Sequence, residues 1–302
     1  MQLGMVGLGR MGANMTRRLL GAGHEVVGFD LSHPSVASVV SSGAHGASSS
    51  GDLASQLEAP RIVWIMVPHG DPVEQTLAGL LPHLAADDVV VDGGNSFYKD
   101  TIARAERLAS DGIHLVDVGT SGGIWGLTEG YSLMVGGEPE PVARLRPVLE
   151  ALAPTPDTGW GHVGGPGSGH FVKMIHNGIE YGLMQAYAEG FAVLRAKQEL
   201  GLDLAQIGTI WQRGSVVRSW LLELTTRAIA ENPDMHDVAP YVPDSGEGRW
   251  TVFEAIDLDV STPIIGLSLL RRIGSRDEIE YSDRLLASMR HQFGGHPVRR
   301  ET

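Results

Sequence analysis

The chain contains no cysteine, which removes a disulfide framework, a thiol nucleophile and any Cys-ligated metal from consideration. Aromatic residues are few, 6% of 302 positions, and charged residues amount to 20% against 42% hydrophobic. That is the balance of an ordinary globular protein rather than a disordered one. Basic residues are scarce: 23 Lys and Arg face 36 Asp and Glu, a formal charge of −13 at pH 7. Such a surface disfavours nucleic acid and anionic membrane as partners, because either requires a basic face. An anionic substrate would have to be met by a local cluster of Arg and Lys. Long hydrophobic runs are also missing. No stretch approaches the length of a membrane span, and the first residues read as a strand rather than a signal peptide, so the cytoplasm is the expected compartment. The length is enough for two domains with their own cores.

What is present begins with an alternation of strand and helix signals. Leu3 to Val6, Glu25 to Phe29, Arg61 to Val67, Val89 to Asp92, His114 to Val118 and Ser132 to Val135 are short apolar runs with turn residues nearby. Between them lie helix starts such as Asp71-Pro72 and Glu138-Pro139, each pairing a cap with proline at the first helical position. The expected fold class is α/β, a Rossmann-type doubly wound, mostly parallel sheet covered by helices. The Pro- and Gly-rich stretch Ala153 to Gly169 breaks this pattern. After it the chain reads as helices from Phe171 to about Glu199, Leu204 to Arg213 and Val216 to Ala230. A loop-rich part from Asn232 to Arg249 and shorter helices follow. The expected domains are a dinucleotide-binding domain over 1–160 and an all-α domain for substrate binding and oligomerisation over 161–302.

The first chemical motif is Gly7-Leu8-Gly9-Arg10-Met11-Gly12, directly after the first strand and opening a helix. The glycines allow a tight turn and close approach of a pyrophosphate to the helix N-terminus, where N–H groups and the helix dipole favour an anion. The second strand ends at Phe29-Asp30. An acidic side chain there accepts hydrogen bonds from ribose hydroxyls and repels a 2′-phosphate, and Leu31 and Ser32 offer no arginine to hold one. NAD is therefore favoured over NADP. A glycine turn that binds nothing is the competing reading of the motif. Val67, in Met66-Val67-Pro68-His69, and Asn95, in Asp92-Gly93-Gly94-Asn95-Ser96, lie at the ends of two further strands. Loops there reach ligands in sheets of this type. His69 is equally a surface residue and takes no role. Gly119-Thr120-Ser121-Gly122-Gly123 follows the strand ending at Val118. Small residues let backbone amides approach a substrate, and Asn95 and Ser121 supply neutral hydrogen bonds for hydroxyls or a carboxylate. Plain turns would read the same way.

Between Gly167 and Tyr181, Lys173, His176, Asn177 and Glu180 stand at i, i+3, i+4 and i+7, on one face of a helix. Phe171, Val172, Met174, Ile175 and Ile179 between them are apolar, so the helix is expected to be buried on most of its circumference and polar along one stripe. Desolvation lowers a lysine's pKa and raises a glutamate's. A buried stripe can thus supply a neutral amine base and a protonated acid near neutral pH. A solvated face, the usual meaning of a charge stripe, would need water on a helix whose other sides are apolar.

Together these segments resemble the decarboxylating 6-phosphogluconate dehydrogenases, in their short form with a single helical domain. The resemblance spans the chain and rests on Val91 to Ser96, Ser121-Gly122-Gly123, Gly167 to Tyr181 and the pair Arg290 and His296 in RHQFGGH. The adjacent His-Asn-Gly-x-Glu-Tyr pattern separates it from the wider 3-hydroxyacid dehydrogenases, which share the domain plan and the helix lysine. Where long NADP-dependent members carry a lysine in a GTGKWT-like segment, this chain has Gly246-Glu247-Gly248-Arg249-Trp250-Thr251, and it lacks their second helical repeat.

The resemblance implies oxidative decarboxylation of 6-phosphogluconate to ribulose 5-phosphate and CO2 with reduction of NAD. Lys173 would take the C3 hydroxyl proton as hydride passes to the nicotinamide, then stabilise the carbonyl oxygen as CO2 departs from the β-keto acid. Glu180 would protonate C1 of the enediol, and no metal is required. Asn95, Ser121, Gly122, Gly123, His176 and Asn177 would orient the carboxylate and hydroxyls. Tyr181, Arg249, Thr251, Arg272 and Arg290 match family positions that hold the phosphate, with Arg271 a neighbour able to take the place of Arg272, and His296 is a further substrate-binding position. Guanidinium forks suit phosphate oxygens, although surface salt bridges are the other use of such arginines. A homodimer or homotetramer is implied, since the matching tail residues of long members reach the neighbouring subunit's site. Two rival functions remain: an NAD-dependent dehydrogenase of a smaller 3-hydroxy acid without decarboxylation, and a non-catalytic dinucleotide-sensing protein.

Overall fold

The computed structural model describes residues 1–294 and 297–300. Eight strands form one sheet: β1 (Gln2–Val6), β2 (Glu25–Phe29), β3 (His45–Gly46), β4 (Ile62–Ile65), β5 (Val89–Asp92), β6 (His114–Ser121), β7 (Ser132–Gly136) and β8 (Trp160–Gly164). Their order is β3-β2-β1-β4-β5-β6-β7-β8. The pairs are parallel except β6 with β7, which run antiparallel. The chain winds outward from β1 in one direction and from β4 in the other, so the switch of direction falls between them, where such sheets bind ligands.

Buried runs in the central strands follow from helices on both faces. Ile62 and Trp64 enter one core cluster while Val63 and Ile65 enter the other. Val89 and Val91 oppose Val90 in the same way, as the two-residue period of a strand requires. The helix Arg10–Gly21 turns Gly12, Ala13, Met15, Thr16 and Leu19 toward the sheet.

Three departures from the sequence reading have local causes. β6 extends three residues past Val118, because Gly119, Thr120 and Ser121 pair with Met134, Leu133 and Ser132 of β7. The Gly- and Pro-rich stretch expected only to break the pattern contains β8, which pairs with β7 through a register shift at Val135/Gly136. The segment expected to run as helix from Val216 starts instead at Trp220, where the Ser219 hydroxyl accepts the Leu222 N–H at 3.0 Å. That is a side-chain cap of the kind that fixes a helix start.

The chain divides into two compact units, residues 1–177 and 178–302, and the long helix Ser168–Ala196 supplies residues to both. The second unit is helical: besides the remainder of that helix it contains Leu204–Trp211, Trp220–Glu231, Glu247–Asp257, Pro263–Gly274 and Tyr281–Gly294. Its core cluster is small, Phe191, Leu222 and Ile229 with Tyr187, Leu194, Leu204, Ala205 and Trp211 packed against it. Among the described residues no helix is long and apolar enough to cross a membrane.

Candidate active site

The glycine loop has the geometry its sequence demands. Gly7 sits at φ +91°, and a Cβ there would stand 2.5 Å from the Met66 carbonyl oxygen. At Gly12 a Cβ would meet the Gly7 oxygen at 2.0 Å. Gly9, by contrast, faces open space and precedes the helix Arg10–Gly21 with no side chain capping it. First-turn N–H groups that no side chain caps, beside the open space at Gly9, fit a pyrophosphate. Leu8 sends its side chain into the core, so only its backbone faces the loop, while Arg10 is exposed and Met11 half-buried. Asp30 follows β2 and accepts the Leu8 N–H at 2.6 Å through one oxygen and the Ser32 N–H at 2.7 Å through the other. Each oxygen keeps a further lone pair for a ribose hydroxyl. Val67 is half-buried just past β4.

Asn95 is exposed on a loop whose neighbours are fixed from below. Asp92, 1% exposed at the end of β5, accepts the Gly94 N–H at 3.1 Å and the Ser96 hydroxyl at 2.7 Å. Buried Arg104 lies 3.7 Å from Asp92 and donates to Glu74 at 2.7 Å, and Arg107 reaches the other Glu74 oxygen at 2.9 Å. Burial pushes the Glu74 carboxyl upward, but hydrogen bonds from Arg104 and Arg107, with their charges, outweigh it and hold the group below its ordinary value of 4.5. A lowered pKa contributes stability above that ordinary value and loses it as pH falls through the lowered one. The stability advantage of the unaltered protein over Glu74→Gln should therefore be present at pH 7 and close as pH drops below 4.5, read by urea unfolding at several pH values. An advantage independent of pH would exclude the carboxylate as its source.

On β6, Ser121 leads into a turn with Gly122 at φ +130° and Gly123 at +53°, conformations that favour glycine. Gly119, on the same strand, touches the long helix: a Cβ there would lie 2.4 Å from the Lys173 Cβ. Lys173 is 6% exposed, His176 and Asn177 are half-buried, and His176 Nδ1 lies 3.1 Å from Asn177 Oδ1. The helix begins at Ser168, three residues before the expected Phe171. Its far side also departs from expectation. Ile179 is 52% exposed and Leu183, Met184 and Val193 are exposed with it, so the single chain does not bury this helix on most of its circumference. An apolar pattern records what wants cover, and the chain alone provides only part of it.

In the helical unit, Glu180 is half-buried and Tyr181 buried. The Tyr181 hydroxyl lies 3.4 Å from the Ser245 hydroxyl, which donates to Glu247 at 2.5 Å. The Arg272 guanidinium stands 3.4 Å above the Tyr181 ring and donates to the Pro243 carbonyl at 3.0 Å. Arg271 is exposed, so Arg272 is the member of the pair at Tyr181. Arg249 donates to Asp244 Oδ2 at 2.8 and 3.2 Å, with Arg276 3.9 Å from the same oxygen. Part of the expected loop is helix: Glu247–Asp257 starts after Gly246 at φ +107°, whose N–H goes to Asp244 at 3.0 Å. Thr251 is 2% exposed and donates to the Glu247 carbonyl at 2.9 Å. Arg290 is exposed on the helix Tyr281–Gly294, and His296 lies outside the described residues. Among the described residues no group of three or more His, Cys, Asp or Glu could hold a metal ion.

Sequence reasoning missed Asp117, Asp244 and Arg276. The first carries a readable signal, a carboxylate inside an apolar strand; the pairing of the other two depends on how the helices pack.

A doubly wound sheet with this glycine loop, followed by a helical unit whose linking helix carries a buried lysine, defines the two-domain dinucleotide-dependent dehydrogenase class. The model for the NAD binding domain of 6-phosphogluconate dehydrogenase matches residues 2–162, and that for the 6-phosphogluconate dehydrogenase C-terminal domain matches 169–300. The chain belongs to the 6-phosphogluconate dehydrogenase family. It is 49% identical to an NAD(+)-dependent, decarboxylating 6-phosphogluconate dehydrogenase of Haloferax volcanii, covering 100% of this chain and 99% of the relative. Identity is 35% to the NADP(+)-dependent, decarboxylating enzyme of Bacillus subtilis, over 90% of this chain and 60% of that longer protein. Among solved structures, a Plasmodium falciparum 6-phosphogluconate dehydrogenase superposes with a TM-score of 0.84 at 24% identity, covering 100% of this chain and 66% of the other. Mycobacterium tuberculosis 3-hydroxyisobutyrate dehydrogenase gives 0.70 at 22%, covering 91% and 94%. These two structural likenesses concern the fold alone.

Proposed function

We propose that the chain catalyses NAD-dependent oxidative decarboxylation of 6-phosphogluconate to ribulose 5-phosphate and CO2, as a cytoplasmic homo-oligomer. The observation that carries this reading is Lys173, buried with its Cβ against Gly119 of β6 on the helix that also bears His176, Asn177 and Glu180. A lysine held there is placed to exchange a proton with a substrate hydroxyl.

Gly7 to Gly12 and Asp30, with Val67 and Asn95 nearby, would hold NAD, which would supply the hydride acceptor for C3. Lys173 takes the proton from the C3 hydroxyl, leaving a 3-keto acid whose carboxylate is β to the carbonyl. As the bond to CO2 breaks, its electron pair passes toward the C3 oxygen, and the protonated Lys173 stabilises the charge that develops there. Glu180 then donates a proton to C1 of the enediol. Asn95, Ser121, Gly122, Gly123, His176 and Asn177 orient the sugar acid, Tyr181, Arg249, Thr251, Arg272 and Arg290 hold the phosphate, and His296 is a further substrate-binding residue. The arginines near Asp244 and Tyr181 supply a positive cluster suited to a phosphate, which a small, phosphate-free hydroxy acid would not need.

A spectrophotometric assay with 6-phosphogluconate and each cofactor tests the reading directly. NADH formation is expected, and turnover only of a phosphate-free 3-hydroxy acid would overturn it. The cofactor preference rests on Asp30 and on Leu31 beside it, 92% exposed. Combining Asp30→Ala with Leu31→Arg should narrow the preference for NAD over NADP by roughly 10- to 100-fold, the worth of a charge-assisted hydrogen bond. Equal efficiency with both cofactors in the unaltered enzyme would exclude the role given to Asp30.

A further inference from the structure

Asp117 is 0% exposed in the middle of β6. A carboxylate so placed is costly unless its oxygens are met by donors. Here they accept the N–H groups of Gly167 at 2.7 Å and His170 at 2.8 Å, at the start of the helix Ser168–Ala196. A carboxylate at a helix N-terminus satisfies orphan donors and complements the dipole, so this anchor also accounts for the helix beginning three residues earlier than its apolar pattern suggests.

The anchored turn lies directly on the sheet. Gly136 of β7 pairs with Asp117, and a Cβ there would stand 2.5 Å from an Asp117 oxygen and 2.6 Å from the Gly169 nitrogen. At Gly169 a Cβ would meet the carbonyl oxygens of Met134 at 2.4 Å and Asp117 at 2.6 Å. Gly119 shares a strand face with Asp117 and receives the Lys173 Cβ one helical turn beyond His170. The same turn is tied sideways: buried His170 places Nδ1 2.8 Å from the Thr101 hydroxyl, and Phe171 packs edge-on against Tyr98 at 5.1 Å. Both partners open the helix Tyr98–Ala109 that follows the Asn95 loop. One buried polar knot thus links the strand leading to Ser121, the segment after Asn95 and the turn before Lys173.

We propose that Asp117 is a positioning residue for Lys173, acting through the first turn of the long helix without touching substrate or cofactor. The inference rests on the assignment of Lys173 as the base. Asp117→Asn preserves shape but turns an amide NH2 toward one of the two backbone N–H groups, so the turn must shift. A displacement on the order of 1 Å at a reacting group can cost about 100-fold in rate.

The test uses the full chain, with kcat and KM for 6-phosphogluconate from NADH formation and the NAD dissociation constant from quenching of protein fluorescence. For Asp117→Asn, kcat per folded chain should fall roughly 10- to 100-fold while NAD affinity and substrate KM each stay within about threefold. Should this variant fail to fold, Gly119→Ala retains the carboxylate and places a methyl where the Lys173 Cβ stands, and the same split is expected. Lowered thermal stability with kcat per folded chain unchanged in either variant would overturn the positioning role, as would a loss confined to NAD affinity. If Lys173→Met is inactive while Asp117→Asn keeps wild-type kcat, only this inference fails. If Lys173→Met turns over normally, the assignment of the base fails with it.

Discussion

Lys173→Met should form NADH from 6-phosphogluconate and NAD at least roughly 1,000-fold more slowly than the unaltered enzyme. Two contributions disappear together. A positioned general base supplies about 100- to 10,000-fold, and the protonated amine that steadies the C3 oxygen during loss of CO2 supplies an electrostatic term of similar kind. Methionine matches the length of the stem, so the packing against Gly119 is retained and the protein should fold. Glu180→Gln should behave differently, because its task begins after hydride transfer. It should chiefly impair exchange of the C1 proton of ribulose 5-phosphate with solvent deuterium, read by NMR. Near-normal turnover by Lys173→Met would show the base to be another group, and unimpaired exchange in Glu180→Gln would remove Glu180 as the acid.

The parts legible in the sequence are those set by local physics. Gly7 is required by a positive φ and a contact of 2.5 Å, and Gly12 by a contact of 2.0 Å, which only glycine tolerates, and these needs appear as a motif wherever the turn occurs. The stripe Lys173, His176, Asn177, Glu180 follows from helical period alone. What failed depends on residues distant in the chain. β6 runs on through Ser121 because β7 pairs with it, and nothing within the segment itself announces that partner. β8 lies in a glycine-rich stretch whose composition argues for loop, and pairing with β7 overrides it. Arg271 and Arg272 are indistinguishable as residue types, yet one step along a helix turns a side chain by about 100°, and packing puts Arg272 over Tyr181. Asp244 stayed hidden for a related reason: its value comes from Arg249, Arg276 and the Gly246 N–H meeting at one carboxylate.

Assembly is where the helical unit makes its largest claim on a partner. Ile256, Ile264, Leu267 and Leu270 are all exposed by more than half in the single chain, as are Ile179 on the long helix and Leu286 on the last. Exposed apolar side chains of this kind are what an interaction face uses, and most soluble oligomers close such a face symmetrically with a second copy. Arg290 is exposed on the helix Tyr281–Gly294, as a side chain serving a neighbouring subunit's site would be. The expected state is therefore an obligate homo-oligomer, at least a dimer, in which Arg290 completes phosphate binding in trans. Arg290→Ala alone should lose roughly 10- to 100-fold in kcat/KM, the cost of a charge-assisted contact to phosphate. Mixing it with the inactive Lys173→Met chain then gives a sharper readout. With random reassociation about half of the dimers are hybrid, and each has one site with both residues intact, so activity should recover toward about a quarter of the wild-type value. Native mass spectrometry would establish that hybrids form. Hybrids without recovered activity would place Arg290 in its own subunit's site or outside any site, and full activity in a stable monomer would rule out the shared arrangement altogether.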